Sequence, residues 1–228
     1  MRMLKVKAHQ EMVNYRVENT YNFQDTYTLP NISTLKGWIY KVCNAPDKDN
    51  FYNRTVDSLE ISVSGTPQGN AMNLQKFIKW KSAKSLVTTP TTVALISVID
   101  LCIYIKGNDE ILNLFKDNIY DTFSSIGRHE DTVRVDYCEF VEIEQEEFSR
   151  SNVHVTDYDT YITEEAATKA DLDYGFKLKI STTYSITKGV RYFNKKFVRS
   201  LTNNTRFAKG KFMLDKTDNR IVDFIKLT

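Results

Sequence analysis

Over residues 4–8, Leu4, Val6 and Ala8 alternate with Lys5 and Lys7, the two-residue period of a half-exposed strand. Pro30 and Ser33-Thr34 then predict a helix start. Leu35, Trp38, Ile39 and Val42 follow at the i, i+3, i+4, i+7 spacing of a buried helix stripe. Leu59, Ile61 and Val63 alternate as a second strand. Residues 64–92 are polar, basic and rich in turn formers (Gly65, Pro67, Gly69, Pro90), which predicts an inserted hairpin or a long loop. Leu95–Ile105 is apolar on both faces, as a central strand is. Asn108 is an N-cap, with Asp109 and Glu110 at the positive end of the helix dipole. Ile111, Leu112, Phe115 and Ile119 form that helix's buried stripe. Val133, Val135, Tyr137, Val141 and Ile143 alternate as a fourth strand.

The order strand–helix–strand–insertion–strand–helix–strand predicts an α+β, ferredoxin-like βαββαβ domain over residues 1–148, with a basic β-hairpin inserted at about 64–92. The RNA-recognition motif shares this topology and binds single-stranded RNA on its open sheet face. Residues 149–173 read as an acidic, mobile connection. From 174 the chain is strand-rich, and Ile221–Leu227 give a final apolar strand, so 149–228 forms a β-rich C-terminal region packed on the first.

The chain has 228 residues, 41% hydrophobic and 12% aromatic, enough to bury a core and to exclude disorder. Its longest apolar stretch, Val93–Ile105, is broken by Asp100 and falls short of the roughly 20 residues of a membrane helix. The N-terminal residues contain no apolar signal segment. Cys43, Cys102 and Cys138 are widely spaced, which argues against a disulfide framework or zinc site and for a reducing cytoplasm.

A net charge of +2 hides strong segregation. No acid occurs from Ile61 to Ser97, where Lys76, Lys79, Lys81 and Lys84 lie. Tyr174–Leu214 carries ten bases and no acid, whereas Glu130–Glu147 carries eight carboxylates. Basic blocks with interleaved aromatics point to a polyanion groove, or else they solvate exposed strand faces. The histidines His9, His129 and His154 lack HxxxH or HExxH spacing, and neither GxSxG nor a P-loop is present. No metal, cofactor or catalytic residue is therefore predicted. A metal-free ribonuclease needs only one base and a nearby cation, for which His129 beside Arg128, or His9, would serve.

Four ordered segments add a resemblance. The start, LKVKAHQEMVNYR, resembles a first strand ending in an NYR triplet. Thr26–Gly37 is similar to the pattern TYPLPPPSTVIG, Ile126–Asp131 to LGRSED, and Gly189–Phe193 to a G-[IV]-R-x-F turn. Together they resemble the CRISPR-associated protein 5 family, repeat-associated (RAMP) subunits of Cascade that hold the 5′ handle of the crRNA, and most closely its type I-B branch. Thr28, Asn31 and Lys36 stand where the pattern has proline, proline and an aliphatic residue, and His129 where it has a small one.

The resemblance implies a non-catalytic, cytoplasmic protein of antiviral defence. Its implied partners are the crRNA 5′ handle, the Cascade backbone and large subunits, and target DNA only within the complex; no membrane is involved. It places a thumb at 64–92, wedged between handle and spacer. The type I-C branch cuts RNA itself, which leaves a metal-independent endoribonuclease as the alternative.

Physical roles follow for the candidate RNA-binding residues. Ser33 and Thr34 offer free helix N–H groups to a phosphate, or simply cap the helix, and Lys36 adds charge there. Tyr15 stacks on a base or packs in the core, with Arg16 on a phosphate. Arg128 offers a bidentate phosphate contact and His129 stacking or a hydrogen bond. Lys76, Lys79, Trp80 and Lys81 alternate charge with aromatic surface, and Lys188 and Arg191 flank the later Gly189 turn.

Overall fold

The computed structural model describes the chain except residues 1, 19, 21–22, 45–54, 83–84, 189 and 227–228; the side chains of 78–82, 85 and 86 also lie outside the described set. The long strands are β1 (Arg2–Val13), β2 (Glu60–Ser82), β3 (Ser85–Lys106), β4 (Arg134–Glu142), β5 (Glu144–Phe148), β6 (Asp159–Thr163), β7 (Phe176–Thr187), β8 (Val190–Leu201), β9 (Gly210–Asp215) and β10 (Arg220–Val222). The longer described helices are α1 (Ile32–Val42), α2 (Asp109–Asn118) and α3 (Glu164–Lys169), with one further helical turn at 55–58. The molecule is thus a mixed, strand-rich sheet fold with few helices.

Seven strands of the main sheet run in the order β7-β8-β6-β2-β3-β1-β4, each antiparallel to its neighbours. A two-residue strand, Phe23–Gln24, adds parallel to β3. One face is covered by α1 and α2. Leu4, Val6 and Ala8 of β1 meet Leu35, Trp38 and Ile39 of α1 and Ile111, Leu112 and Phe115 of α2 in one buried cluster. The Trp38 ring meets Phe115 edge-on at 5.1 Å, and its indole N–H donates to the Ser124 hydroxyl at 2.9 Å. Asn108 caps α2 by accepting from the Glu110 and Ile111 amides. α1 begins earlier than Ser33-Thr34 suggests: Asn31 is its N-cap, so Ser33 is buried within the first turn.

The second face is not the open RNA-binding surface of an RNA-recognition motif. A small antiparallel sheet, β10-β9-β5, covers part of it, burying Met3, Cys102 and Tyr104 against Ile143, Val222 and Phe224. Lys5, only 2% exposed, pairs there with Asp215 and Asp218, and the Tyr104 hydroxyl donates to Asp215 at 2.8 Å. Burial alone would lower the Lys5 pKa, but its hydrogen bonds to the two carboxylates raise it.

Residues 64–92 do not interrupt the sheet. β2 and β3 run through them as one ribbon, paired from Glu60↔Lys106 to Ser82↔Ser85. Gln68 and Val98 drop out of the register, between the pairs Pro67↔Ile99 and Gly69↔Ser97. Val98 has φ 57°, a strained value for a β-branched residue, and marks a local irregularity in a strand that stays paired to β1 as far as Val13↔Ile96.

Residues 149–173 are not simply a connection. They contain β6, whose residues Asp159–Ile162 are all buried. β6 pairs Asp159–Thr160 with Gly65–Ser64 and Thr160–Thr163 with β8. The acidic count hides this strand because Asp159 is a turn-binding acid, accepting from the Asn203 amide at 3.0 Å. The final apolar run forms β10 over Arg220–Val222, and Ile225 then bridges to Ile61.

Candidate nucleic-acid interface

Two of the sequence motifs meet, and their meeting is structural. Asp131, 1% exposed, accepts from the Asn14 amide at 3.1 Å and the Arg128 amide at 2.8 Å. It also takes both ends of the Arg128 fork, Nε at 3.1 Å and Nη2 at 2.6 Å. A Cβ on Gly127 (φ 110°) would sit 2.8 Å from the Asp131 carboxylate, so glycine is required at this turn. The Tyr15 hydroxyl donates to Gln10 Oε1 at 2.7 Å, and Gln10 Nε2 in turn donates to the Ile126 carbonyl at 2.9 Å. Tyr15 is only 2% exposed, so it is a core residue and cannot stack on a base. Arg128 is likewise spoken for: Asp131 and Glu130 hold its guanidinium. Arg16 and His129, by contrast, are exposed.

A second pair of motifs meets around a cavity of about 590 Å³. Its walls include Ser33, Lys36 and Tyr40 of α1, Asp57 of a helical turn before β2, and Tyr184 and Arg191 from the β7–β8 hairpin. Lys36 is 4% exposed, and its ammonium donates to the Asp57 carbonyl. Burial lowers its pKa to about 8, only partly opposed by the Asp57 charge; burial also raises that of Asp57, against the pull of Lys36. The Arg191 guanidinium lies 4.9 Å from the Tyr184 ring centroid. Thr34 is half-buried beside Ser33. The site is therefore a cleft with two cations, one sunk in its wall and one held over an aromatic ring at its mouth, a construction suited to an anion with a flat attachment.

The hairpin contributes more than its two cations. Ile186, Val190, Tyr192 and Phe193 are 41–63% exposed around its tip, and Lys188 turns there with φ 52°. Aromatics in an acid-free block were the sequence signal for this surface, but nothing in the sequence placed them beside α1. Not all ten bases of the block are free: Lys177, Lys195, Arg199, Lys209 and Lys211 each have a carboxylate within 4 Å. On the β2–β3 ribbon Lys76 is exposed and Phe77 half-buried, while Met72 and Leu74 are 68% and 70% exposed. The predicted contacts of Lys79, Trp80 and Lys81 fall on side chains outside the described set.

His9 stands apart from this cavity, its Nδ1 2.7 Å from Asp100 and Nε2 3.3 Å from Glu11. Its hydrogen bond to Asp100 raises its pKa despite some burial. Among the described residues, no three His, Cys, Asp or Glu side chains form a metal-binding group, and no helix is long and apolar enough to cross a membrane.

No family model and no curated protein matches the chain. Solved structures do. A chain described as a CRISPR RNA-guided surveillance complex superposes with a TM-score of 0.60 at 12% identity, covering 90% of this chain and 91% of that one. A CRISPR protein from Archaeoglobus fulgidus gives 0.50 at 12% identity, with both chains covered entirely. A structure described as a Cas protein gives 0.50 at 11% identity, over 90% of this chain and 95% of that one. The fold of this chain is thus similar to that of CRISPR-associated proteins along nearly its whole length.

Proposed function

We propose that this chain is a non-catalytic RNA-binding subunit of a CRISPR RNA-guided effector complex, of the RAMP type and closest to the type I-B Cascade branch. In this role it caps the 5′ handle of the crRNA in the cytoplasm and helps assemble the backbone and large subunits. The observation that carries the reading is the cavity. Ser33 and Lys36 belong to one sequence motif and Arg191 to another far along the chain, yet both line a single cleft. The strand order β4-β1-β3-β2, with α1 and α2 in the crossovers, supports a ferredoxin-like unit over 1–148. The region 149–228 extends its sheet, and the distal ribbon within 64–92 is the thumb. A handle nucleotide at the cleft would set a phosphate between Lys36 and Arg191 and a base on the exposed aromatics of the hairpin tip.

The reading is tested by titrating a labelled repeat-derived RNA against the protein over a range of salt. Single strands give a slope near −0.7 per neutralised phosphate in log K against log salt. Arg191→Ala should flatten the slope by about 0.7, and Arg128→Ala should leave it unchanged. A slope near zero, or one indifferent to Arg191, rejects the site. Repeat RNA incubated with the pure protein without metal should stay intact; specific cleavage would favour the endoribonuclease instead.

A further inference from the structure

A second cavity, of about 790 Å³, lies at the other end of the β7–β8 hairpin. Tyr174 and Arg206 flank it there, next to the pair Phe176↔Ser200, whereas the first cavity borders Ile186↔Arg191. The ten residue steps between them, at about 3.3 Å each, place the two sites roughly 30 Å apart. No residue is shared.

The second cavity is built rather than incidental. Its floor is apolar, with Phe148 and Leu172 buried in the cluster that includes Phe207 and Phe212. Its aromatic wall is fixed: the Tyr174 hydroxyl donates to the Arg206 carbonyl at 3.1 Å and accepts from the Arg206 amide at 2.9 Å. The Leu172 and Tyr174 carbonyls are both pinned by Arg199 Nη1, at 2.7 and 3.3 Å. Tyr174 nevertheless remains 44% exposed. Arg150, Arg206 and Lys209 line the rim against a single carboxylate, Asp171, which lies 3.6 Å from Lys209. Neither arginine has an ion pair among the described residues, so two guanidinium forks face the opening uncompensated.

From this geometry we infer a second single-stranded nucleic-acid site, in which Arg150 and Arg206 hold consecutive phosphates while a base lies against Tyr174 over the apolar floor. A flat apolar wall beside unpaired forks matches the alternating chemistry of a nucleotide chain. An acidic peptide would use the forks but leave the ring idle. The strand held here is either a further stretch of the RNA or a separate DNA strand, since both carry the same phosphates and bases.

The test uses the full chain with photoreactive ten-nucleotide probes, a 4-thiouridine oligouridylate and a 5-iodouracil oligothymidylate. Cross-links should map to Tyr174 or to residues 204–209. Arg150→Ala with Arg206→Ala should lower the salt slope by about 1.4, the loss of two phosphate contacts, with unchanged melting because both side chains are exposed. Arg191→Ala should leave these cross-links in place, so failure here is distinct from failure at the first cavity. Cross-linking of the uridylate alone assigns the site to RNA; cross-linking of both assigns it to either strand. Absence of cross-links at this cavity, or a double variant that binds with the wild-type slope, overturns the inference. So does a glutamate-rich peptide that binds in an Arg150- and Arg206-dependent way where neither oligonucleotide does.

Discussion

Replacing Lys36 by methionine should stabilise the fold and weaken RNA binding together. The ammonium sits in a wall that burial makes costly, and an apolar side chain of similar length removes that cost, on the order of 1–3 kcal/mol. The wild type has a pH signature as well. Its folded pKa, about 8, lies below the ordinary 10.5, so between those values the unfolded chain binds more protons. Stability should therefore rise as pH climbs from about 8 to about 10.5, while RNA affinity falls as the charge is lost. Thermal melting and RNA titration from pH 7 to 10 read both trends, and Lys36→Met should show neither. At Asp131 the expectation is purely structural. Asp131→Asn removes the buried carboxylate from the Arg128 fork, which keeps only Glu130, and should cost about 1–3 kcal/mol in denaturant unfolding. These residues show where sequence reading stops. NYR and GRHED stand out as motifs, but a motif residue that binds RNA and one that binds another motif look alike. Only packing separates Tyr15 and Arg128 from Arg191.

At the scale of elements, the β2–β3 ribbon divides into an anchored base and a projecting end. Val93, Leu95 and Ile96 are buried, and Gln75 lies 3.5 Å from Arg128. Beyond the pair Lys76↔Pro90 no residue belongs to a buried core cluster among those described. Joining Lys76 to Pro90 through an Asn-Gly turn should thus leave melting within about 1 kcal/mol of wild type and impair assembly on crRNA. Removing 70–96 instead deletes core residues and should unfold the protein. Near-normal assembly by the shorter variant would remove the thumb from the functional reading. The hairpin was legible because polar alternation and the lack of carboxylates mark it. Its continuity with the sheet was not, because local pattern cannot tell an inserted strand from a prolonged one. β6 was hidden for a related reason: two of the residues around it that looked like solvated acids, Asp159 and Glu164, bind the Asn203 amide and the Arg199 guanidinium.

Across the whole molecule, the C-terminal layer is clamped to β1 through one buried cation. Burial would raise the pKa values of Asp215 and Asp218, but their hydrogen bonds to Lys5 hold both below the ordinary 3.8. Carboxylates depressed in this way contribute stability that is present above about pH 4 and lost as pH falls through their folded values. Melting temperature should drop steeply below pH 4, and Lys5→Ala should destabilise by about 3 kcal/mol at neutral pH by leaving the buried Asp215 without a cation, while Asp218 keeps Lys7 at 2.8 Å. In Lys5→Met with Asp215→Asn the acid-sensitive part of the profile should shrink; an unchanged profile would place the transition elsewhere.

The uninterrupted β2–β3 ribbon also bears on the order of events during synthesis. Its partners lie close in sequence, from Ser82↔Ser85 outward, whereas β1 must wait for β4, pairing Arg2 with Glu142. Local pairs cost little loop entropy and close early, and distant ones close late. A half-made chain would therefore carry a finished basic ribbon, its β3 edge able to take up the earlier β1 but its β2 edge unpaired until β6 emerges to cover Ser64–Gly65. Such an edge is open to mispairing, and the acid-free stretch from Ile61 to Ser97 supplies like charges that keep two nascent copies apart.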